Sequence, residues 1–191
     1  MTAVTEKGSQ TRAAILDRAV DLASAEGLEG LTIGRLAAEL RMSKSGLFAH
    51  FGSKQELQLA TVAAAAERFR SAVIEPSLDV PEGAPRLRAM GERYLAQLDG
   101  YSGGCFWAAT SAEYDDRPGP VRDAIAAALE AWMGELVRQA RIAGVERPER
   151  FAFELYALVM GVNSRYRLSG EEAVFDYARE ALDRLAAELP E

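Results

Sequence analysis

Apolar residues return at helical spacing along almost the whole chain. Ile15, Ala19 and Leu22 form one stripe, with Leu16, Val20 and Ala23 beside it. That spacing predicts a first helix over about Gln10–Glu26, with Ser9 in the N-cap position and Gly27 as a left-handed residue just past its end. After Thr32, a good N-cap, Ile33, Leu36, Ala37 and Leu40 follow the i, i+3, i+4, i+7 rule of a second helix. Arg41-Met42-Ser43 breaks the pattern. A third helix is expected over Lys44–Phe51, capped by Ser43 and ended by Gly52. Ser53-x-x-Glu56 is a capping box that opens a fourth helix, running to about Ile74. "EPSLDVPEGAP" reads as a loop. Beyond it the pattern predicts five helices: Arg86–Leu98, Cys105–Tyr114, Pro118–Ala143, Pro148–Leu168 and Glu171–Leu189. Pro118 or Pro120 fits a first helical turn, with Asp116 as its cap. No segment alternates with period two. The expected fold is all-α, with a three-helix N-terminal domain over 1–55, a helical C-terminal domain over 56–191, and about nine helices.

Composition narrows the class. Of 191 residues, 49% are hydrophobic, enough for a packed core, and Ala, Leu, Glu and Arg dominate, which favours helices. There is no apolar run long enough to span a membrane and no signal-peptide pattern, and Cys105 is the single cysteine, so a cytoplasmic protein without a disulfide is expected. A net charge of −7 argues against nucleic acid until its distribution is considered. Residues 1–55 carry seven basic and six acidic side chains, which leaves −8 on the rest. From Leu40 to Gln55 the only charges are Arg41, Lys44 and Lys54, all positive.

This positive stretch, "MSKSGLFAHFGSK", coincides with two short helices joined by a three-residue turn, a helix-turn-helix pattern. A short helix fits the major groove of B-DNA, and its N-terminal residues reach base edges. Met42, Leu47 and Phe51 are the apolar anchors. Ser43, Lys44, Ser45 and Gly46 are small, polar or basic, and suit a groove-facing surface. Lys54 stands where an ammonium and a helix N-terminus hold a phosphate together.

The ordered series "TRAAILDRAVDLASAEGLEGLTIGRLAAEL" followed by "MSKSGLFAHFGSKQEL" resembles the DNA-binding domain of the TetR family of transcriptional regulators. It covers about a quarter of the chain. The resemblance implies that Thr32 touches a phosphate, that Ser43, Lys44, Ser45 and Gly46 face the major groove, that Phe48 and His50 lie against the DNA backbone, and that Lys54 binds a phosphate. Two positions depart from the family pattern. Phe48 replaces a usual tyrosine and so lacks its hydroxyl. Arg41 replaces a usual glycine in the turn. A left-handed non-glycine residue there costs roughly 1 kcal/mol, which a phosphate contact by Arg41 would offset.

The resemblance also implies a homodimer reading a palindromic operator, a small-molecule effector in the second domain, no cofactor and no membrane. Met90, Tyr94, Phe106 and Trp107, with Trp132, Tyr156, Met160 and Asn163, are the expected pocket residues. Phe151, Leu155, Leu158 and Val162 line one long helix. Val174, Ala178, Leu182, Leu185 and Leu189 line the last. These stripes suit either association or packing within the subunit. The expected function is a repressor released by its effector. An activator or a partner-responsive regulator of the same fold is the alternative, and from another class a helical enzyme or interaction protein.

Other features carry less. His50 has no nucleophile partnered in recognisable order, so it is not read as a catalytic base. Cys105 lacks a neighbouring cation and a resolving cysteine, and reads as a buried small residue. One histidine does not make a transition-metal site. Asp115-Asp116 reads as a turn and cap, and Glu171-Glu172 as a first helical turn.

Overall fold

In the computed structural model, which describes residues 3–98 and 100–187, the described residues form nine α-helices and no strand. They are α1 (Ala3–Gly30), α2 (Ile33–Leu40), α3 (Lys44–Phe51), α4 (Lys54–Phe69), α5 (Ala84–Gln97), α6 (Phe106–Tyr114), α7 (Pro120–Ile142), α8 (Pro148–Ser169) and α9 (Ala173–Ala187). None of the helices is long and apolar enough to cross a membrane among the described residues.

The chain forms two compact units, each drawn from two stretches of sequence. The first comprises Met1–Glu67 and Tyr101–Ala126, the second Arg68–Gly100 and Ala127–Glu191. The reason lies in α6. It returns to pack along α1, so a segment far along the sequence joins the N-terminal helices.

In the first unit, every member of the predicted α1 stripe is buried, as are Leu36 and Ala37 of α2, Leu47 and Phe51 of α3, and Leu57 and Val62 of α4. Enclosing an aliphatic or aromatic side chain of this size contributes about 1.5–3 kcal/mol. One boundary of α1 differs from expectation. It starts at Ala3, so Ser9 lies inside the helix rather than at its cap, and its side chain is outside the described ones. At the other end the helix breaks at Gly27, at φ 78° and ψ 162°, a conformation open essentially to glycine. The positive φ falls at the expected residue, and residues 28–30 form a further helical turn beyond the break.

In the second unit the expected end of α4 is altered. The α-helix stops at Phe69, continues as one wide π turn over Arg70–Ile74, and tightens into a 3₁₀ turn at Glu75–Ser77. The loop that follows is tied down by Arg86. Its guanidinium donates to the carbonyls of Leu78 and Val80 and pairs with Glu82 at 3.1 Å. Gln139, fully buried, accepts the Gly83 N–H at 2.8 Å. α7 begins at Pro120 after Gly119, so Asp116 does not cap it. Glu171 and Glu172 precede α9 rather than opening it, and Glu171 pairs with Arg165 at 2.8 Å.

Candidate nucleic-acid interface

The α2–α3 boundaries are where local sequence predicts them, because each is set by a cap. Thr32 Oγ1 accepts the Arg35 N–H at 3.0 Å, and Ser43 Oγ accepts the Gly46 N–H at 3.0 Å. Between them the Met42 N–H reaches the Ala37 carbonyl at 2.9 Å and the Arg41 N–H the Ala38 carbonyl at 3.3 Å. This is a Schellman turn, which requires a left-handed residue at Arg41. Arg41 sits there at φ 54° and is the one non-glycine residue with positive φ among those described. Arg41→Gly is therefore expected to raise unfolding free energy by about 1 kcal/mol. The same change should weaken DNA binding, through loss of a cation from the turn. Urea unfolding together with a binding titration checks both directions, and a destabilised glycine variant would mean that the Arg41 side chain supports the turn.

Of the three expected anchors of the helix-turn-helix, two are enclosed and Met42 is half-buried. Leu47 and Phe51 are buried, while Ser43, Lys44, Ser45, Phe48 and Ala49 are exposed. Phe48 stands 55% exposed, a large aromatic ring on the open side of α3. His50 is half-buried beside Phe51, their ring centres 6.2 Å apart. Gly46 is half-buried, and its small size serves the cap: a Cβ there would lie 2.9 Å from Ser43 Oγ. Lys44 extends across α2. A Cβ built at Gly34 would lie 3.4 Å from Lys44 Cε, 3.6 Å from its Nζ and 3.9 Å from Thr32 Oγ1. The Lys44 ammonium thus shares the N-terminus of α2 with Thr32, a setting suited to a phosphate.

Much of the remaining positive charge in this unit is neutralised internally. Arg18 pairs with Asp21 and Glu39, and Arg35 with Glu26 at 2.6 Å and Glu39 at 2.9 Å. These cations hold the Glu39 carboxyl below its usual range, Arg18 most strongly. Lys54 pairs with Glu29 at 2.5 Å. Arg41 and Lys44 have no ion-pair partner among the described residues, so the positive character of the turn is open to a ligand. No group of three or more potential metal ligands occurs among the described residues.

Sequence reading missed a polar hub that ties the end of α1 to α4 and α6. The Glu113 carboxylate accepts the N–H groups of Leu28 at 2.7 Å and Glu29 at 3.0 Å, both exposed by the kink at Gly27. Gln58, buried, donates to the Leu28 carbonyl at 2.7 Å and the Tyr114 hydroxyl at 3.0 Å. Burial, and then the charge of Glu29, push the Tyr114 hydroxyl up to about 12. The sequence separation of 84 and 85 residues between Glu113 and its partners leaves no local signal. A glutamine within the apolar stripe of α4 was the available clue.

The expected pocket residues fall in both units. Phe106 and Trp107 lie in the first, ring to ring at 5.1 Å. Met90, Tyr94, Trp132, Tyr156, Met160 and Asn163 lie in the second. There Tyr94, Trp132 and Phe69 form an edge-to-face triad with centroid distances of 4.8, 5.0 and 5.7 Å. The Trp132 indole N–H is buried without a hydrogen-bond partner. An open groove of about 520 Å³, lined by Leu95, Tyr166, Phe175 and Arg179 among others, contains none of the eight.

The expected dimer stripe is enclosed by its own unit. Phe151, Leu155, Val162, Val174, Ala178 and Leu182 are buried, and Leu158 and Leu185 half-buried, while Leu189 lies outside the described residues. Gly91 of α5 explains the packing: a Cβ there would meet Leu182 at 2.8 Å and Leu155 at 3.3 Å. The opposite face of α8 is the exposed one, with Phe153, Ala157, Gly161, Ser164 and Leu168 at helical spacing. Tyr177 is exposed on α9.

Known proteins place this architecture. Residues 15–61 match the family model of the bacterial regulatory proteins of the tetR family, and residues 83–182 match the tetracyclin repressor-like C-terminal domain. No curated protein sequence matches the chain. A TetR-family transcriptional regulator from Streptomyces coelicolor shares the fold at a TM-score of 0.83 and 24% identity, covering 96% of this chain and 97% of that one. A TetR-family regulator from Cytophaga hutchinsonii does so at 0.81 and 21%, covering 96% of each. The regulator AibR, solved in complex with isovaleryl coenzyme A and operator DNA, is similar at 0.72 and 25%, covering 90% of this chain and 95% of its own. With its helix-turn-helix and its C-terminal domain both matched, the chain belongs to the TetR family of bacterial regulators, DNA-binding transcription factors rather than enzymes.

Proposed function

We propose that this protein is a homodimeric repressor that leaves a palindromic operator when a small molecule enters its second unit. The observation that carries the DNA half of this reading is the division of α3, with Leu47 and Phe51 enclosed and Ser43, Lys44 and Ser45 open beside Arg41. Ser43, Ser45 and Gly46 take the groove, Phe48 and His50 lie along the backbone, and Thr32, Arg41, Lys44 and Lys54 meet phosphates.

One such helix reads only a few base pairs. Two, about one turn of DNA apart or a multiple of it, read an inverted repeat. The exposed stripe of α8 supports the second copy better than the stripe expected from sequence. Ala157, Gly161 and Ser164 are small enough for close backbone approach, and nothing lies within 4 Å of a Cβ built at Gly161. Phe153 and Leu168 flank them.

For release, the Trp132 indole N–H is the feature that points to a ligand. A buried donor without an acceptor costs about 1–3 kcal/mol, which an effector carrying an acceptor into the Tyr94–Trp132 aromatic cluster would recover. AibR's complex with an acyl coenzyme A and its operator supports small-molecule control by analogy. The effector needs a preference for the released form, about 1.4 kcal/mol for each tenfold loss of occupancy.

Selection of bound sequences from random duplexes tests the reading, repeated with Phe153→Glu. The wild-type chain should recover an inverted repeat. The variant should sediment as a folded monomer and lose it. Recovery of a single half-site, or an unchanged dimer, would place the interface elsewhere.

A further inference from the structure

Lys54 has two claimants. In the structure its ammonium lies 2.5 Å from Glu29 Oε1. The other oxygen, Oε2, accepts from the Tyr114 hydroxyl at 3.4 Å and stands 3.7 Å from the Arg117 guanidinium. The Glu29 main chain is fixed as well, since Glu113 accepts its N–H and that of Leu28. Glu29 is thus set in place by α6 and the residues just after it, and both its oxygens are matched to donors. Lys54 holds its carboxyl below the usual carboxylate range.

We propose that Glu29 is an internal competitor of the operator phosphate for Lys54, and that Tyr114 and Arg117 set how readily it lets the lysine go. The inference rests on the reading that Lys54 meets a phosphate. An ammonium turned toward DNA leaves its carboxylate partner behind, and a bare carboxylate near the phosphate backbone opposes binding. Arg117 and Tyr114, held on Oε2, supply the counter-charge and donor that keep Glu29 satisfied once Lys54 departs. With Tyr114 and Arg117 in place Lys54 still pairs with Glu29, but the carboxylate gives the lysine up to a phosphate more readily. When they withdraw, Glu29 holds the lysine more tightly. Glu29, Tyr114 and Arg117 act on DNA through Lys54 and are positioning residues. All four groups belong to the first unit, so the competition needs no contact outside it.

The test is a set of binding titrations across salt concentration, using a synthetic duplex of the sequence the wild-type protein selects. The proteins are wild type, Glu29→Gln, Lys54→Met, the double variant and Arg117→Met. Glu29 is exposed and its amide replacement is isosteric, so folding is retained and checked by thermal unfolding. Glu29→Gln is expected to tighten binding by about two- to fivefold per subunit, the range of an exposed ion pair. That gain should vanish in the Lys54→Met background. Arg117→Met should weaken binding, and do so only while Glu29 is present.

If Glu29→Gln tightens binding equally with and without Lys54, the effect is general charge repulsion and the proposal is overturned. An unaltered affinity on Glu29→Gln also overturns it. If Lys54→Met itself leaves affinity and salt slope unchanged, the phosphate contact fails, and the proposal falls with it. A weakened Lys54→Met with an additive Glu29→Gln sinks the competition alone.

Discussion

Gly103→Ala should cost the first unit about 3–5 kcal/mol, enough to unfold a domain of ordinary stability. The reason is space. Gly103 is not among the glycines with positive φ, so its backbone angles do not exclude alanine. A Cβ there, however, would lie 2.1 Å from the carbonyl carbon and oxygen of Ser24 and 2.3 Å from the nitrogen of Ala25. These are main-chain atoms of α1 and cannot swing aside as a side chain would. The loop would have to lift off the helix. It would then lose the Gly103 N–H bond to Ser24 Oγ at 3.1 Å, and the bonds from the Ser102 N–H and hydroxyl to Asp21 at 2.8 Å. Ser24 and its neighbours Leu22 and Ala23 are buried, so no empty space lies beneath to absorb the shift. Urea unfolding measures the cost. An alanine variant within about 0.5 kcal/mol of wild type would mean that the loop does not seat on α1 this closely.

Lys44→Ala should lower operator affinity about 100-fold in a dimer, about tenfold for each of two subunits, and leave stability unchanged. Lys44 is exposed and opens α3, where a cation meets the positive end of the helix dipole, so its loss does not weaken the helix. Its stem lies over Gly34 and its ammonium beside Thr32 at the start of α2. That position favours a phosphate over a base edge. The salt dependence of binding should then fall by about one counterion per subunit, with the preferred sequence unchanged. A variant that changes the selected sequence while keeping its salt slope would make Lys44 a base reader. An unchanged affinity would mean that Lys44 meets no phosphate.

The parts of this fold that were legible in the sequence are those governed by neighbouring residues. Thr32, Ser43 and Gly52 mark the limits of α2 and α3 because a cap acts over three or four positions. The buried stripe of α1 follows from spacing for the same reason. What was not legible depends on distant partners. Leu155 and Leu182 have the periodicity of an interface, and periodicity does not say whose surface is met. Gly91, on another helix, makes room for them inside their own unit. The return of α6 to α1, and the pairing of Glu113 with Leu28 and Glu29, have no trace in local pattern. Lys54 was legible as a cation at a helix start, and its counter-ion at Glu29 was not. Phe48, which the resemblance places against the DNA backbone, stands exposed on α3.

The break at Gly27 has a practical outcome for anyone following this protein in solution. The amides of Leu28 and Glu29 hydrogen-bond a carboxylate on α6 instead of a carbonyl one turn earlier. Their exchange with solvent deuterium is therefore gated by the seating of α6 and not by fraying of α1. Two neighbouring backbone protons serve as a native reporter, requiring no label, of whether α6 is seated on the end of α1.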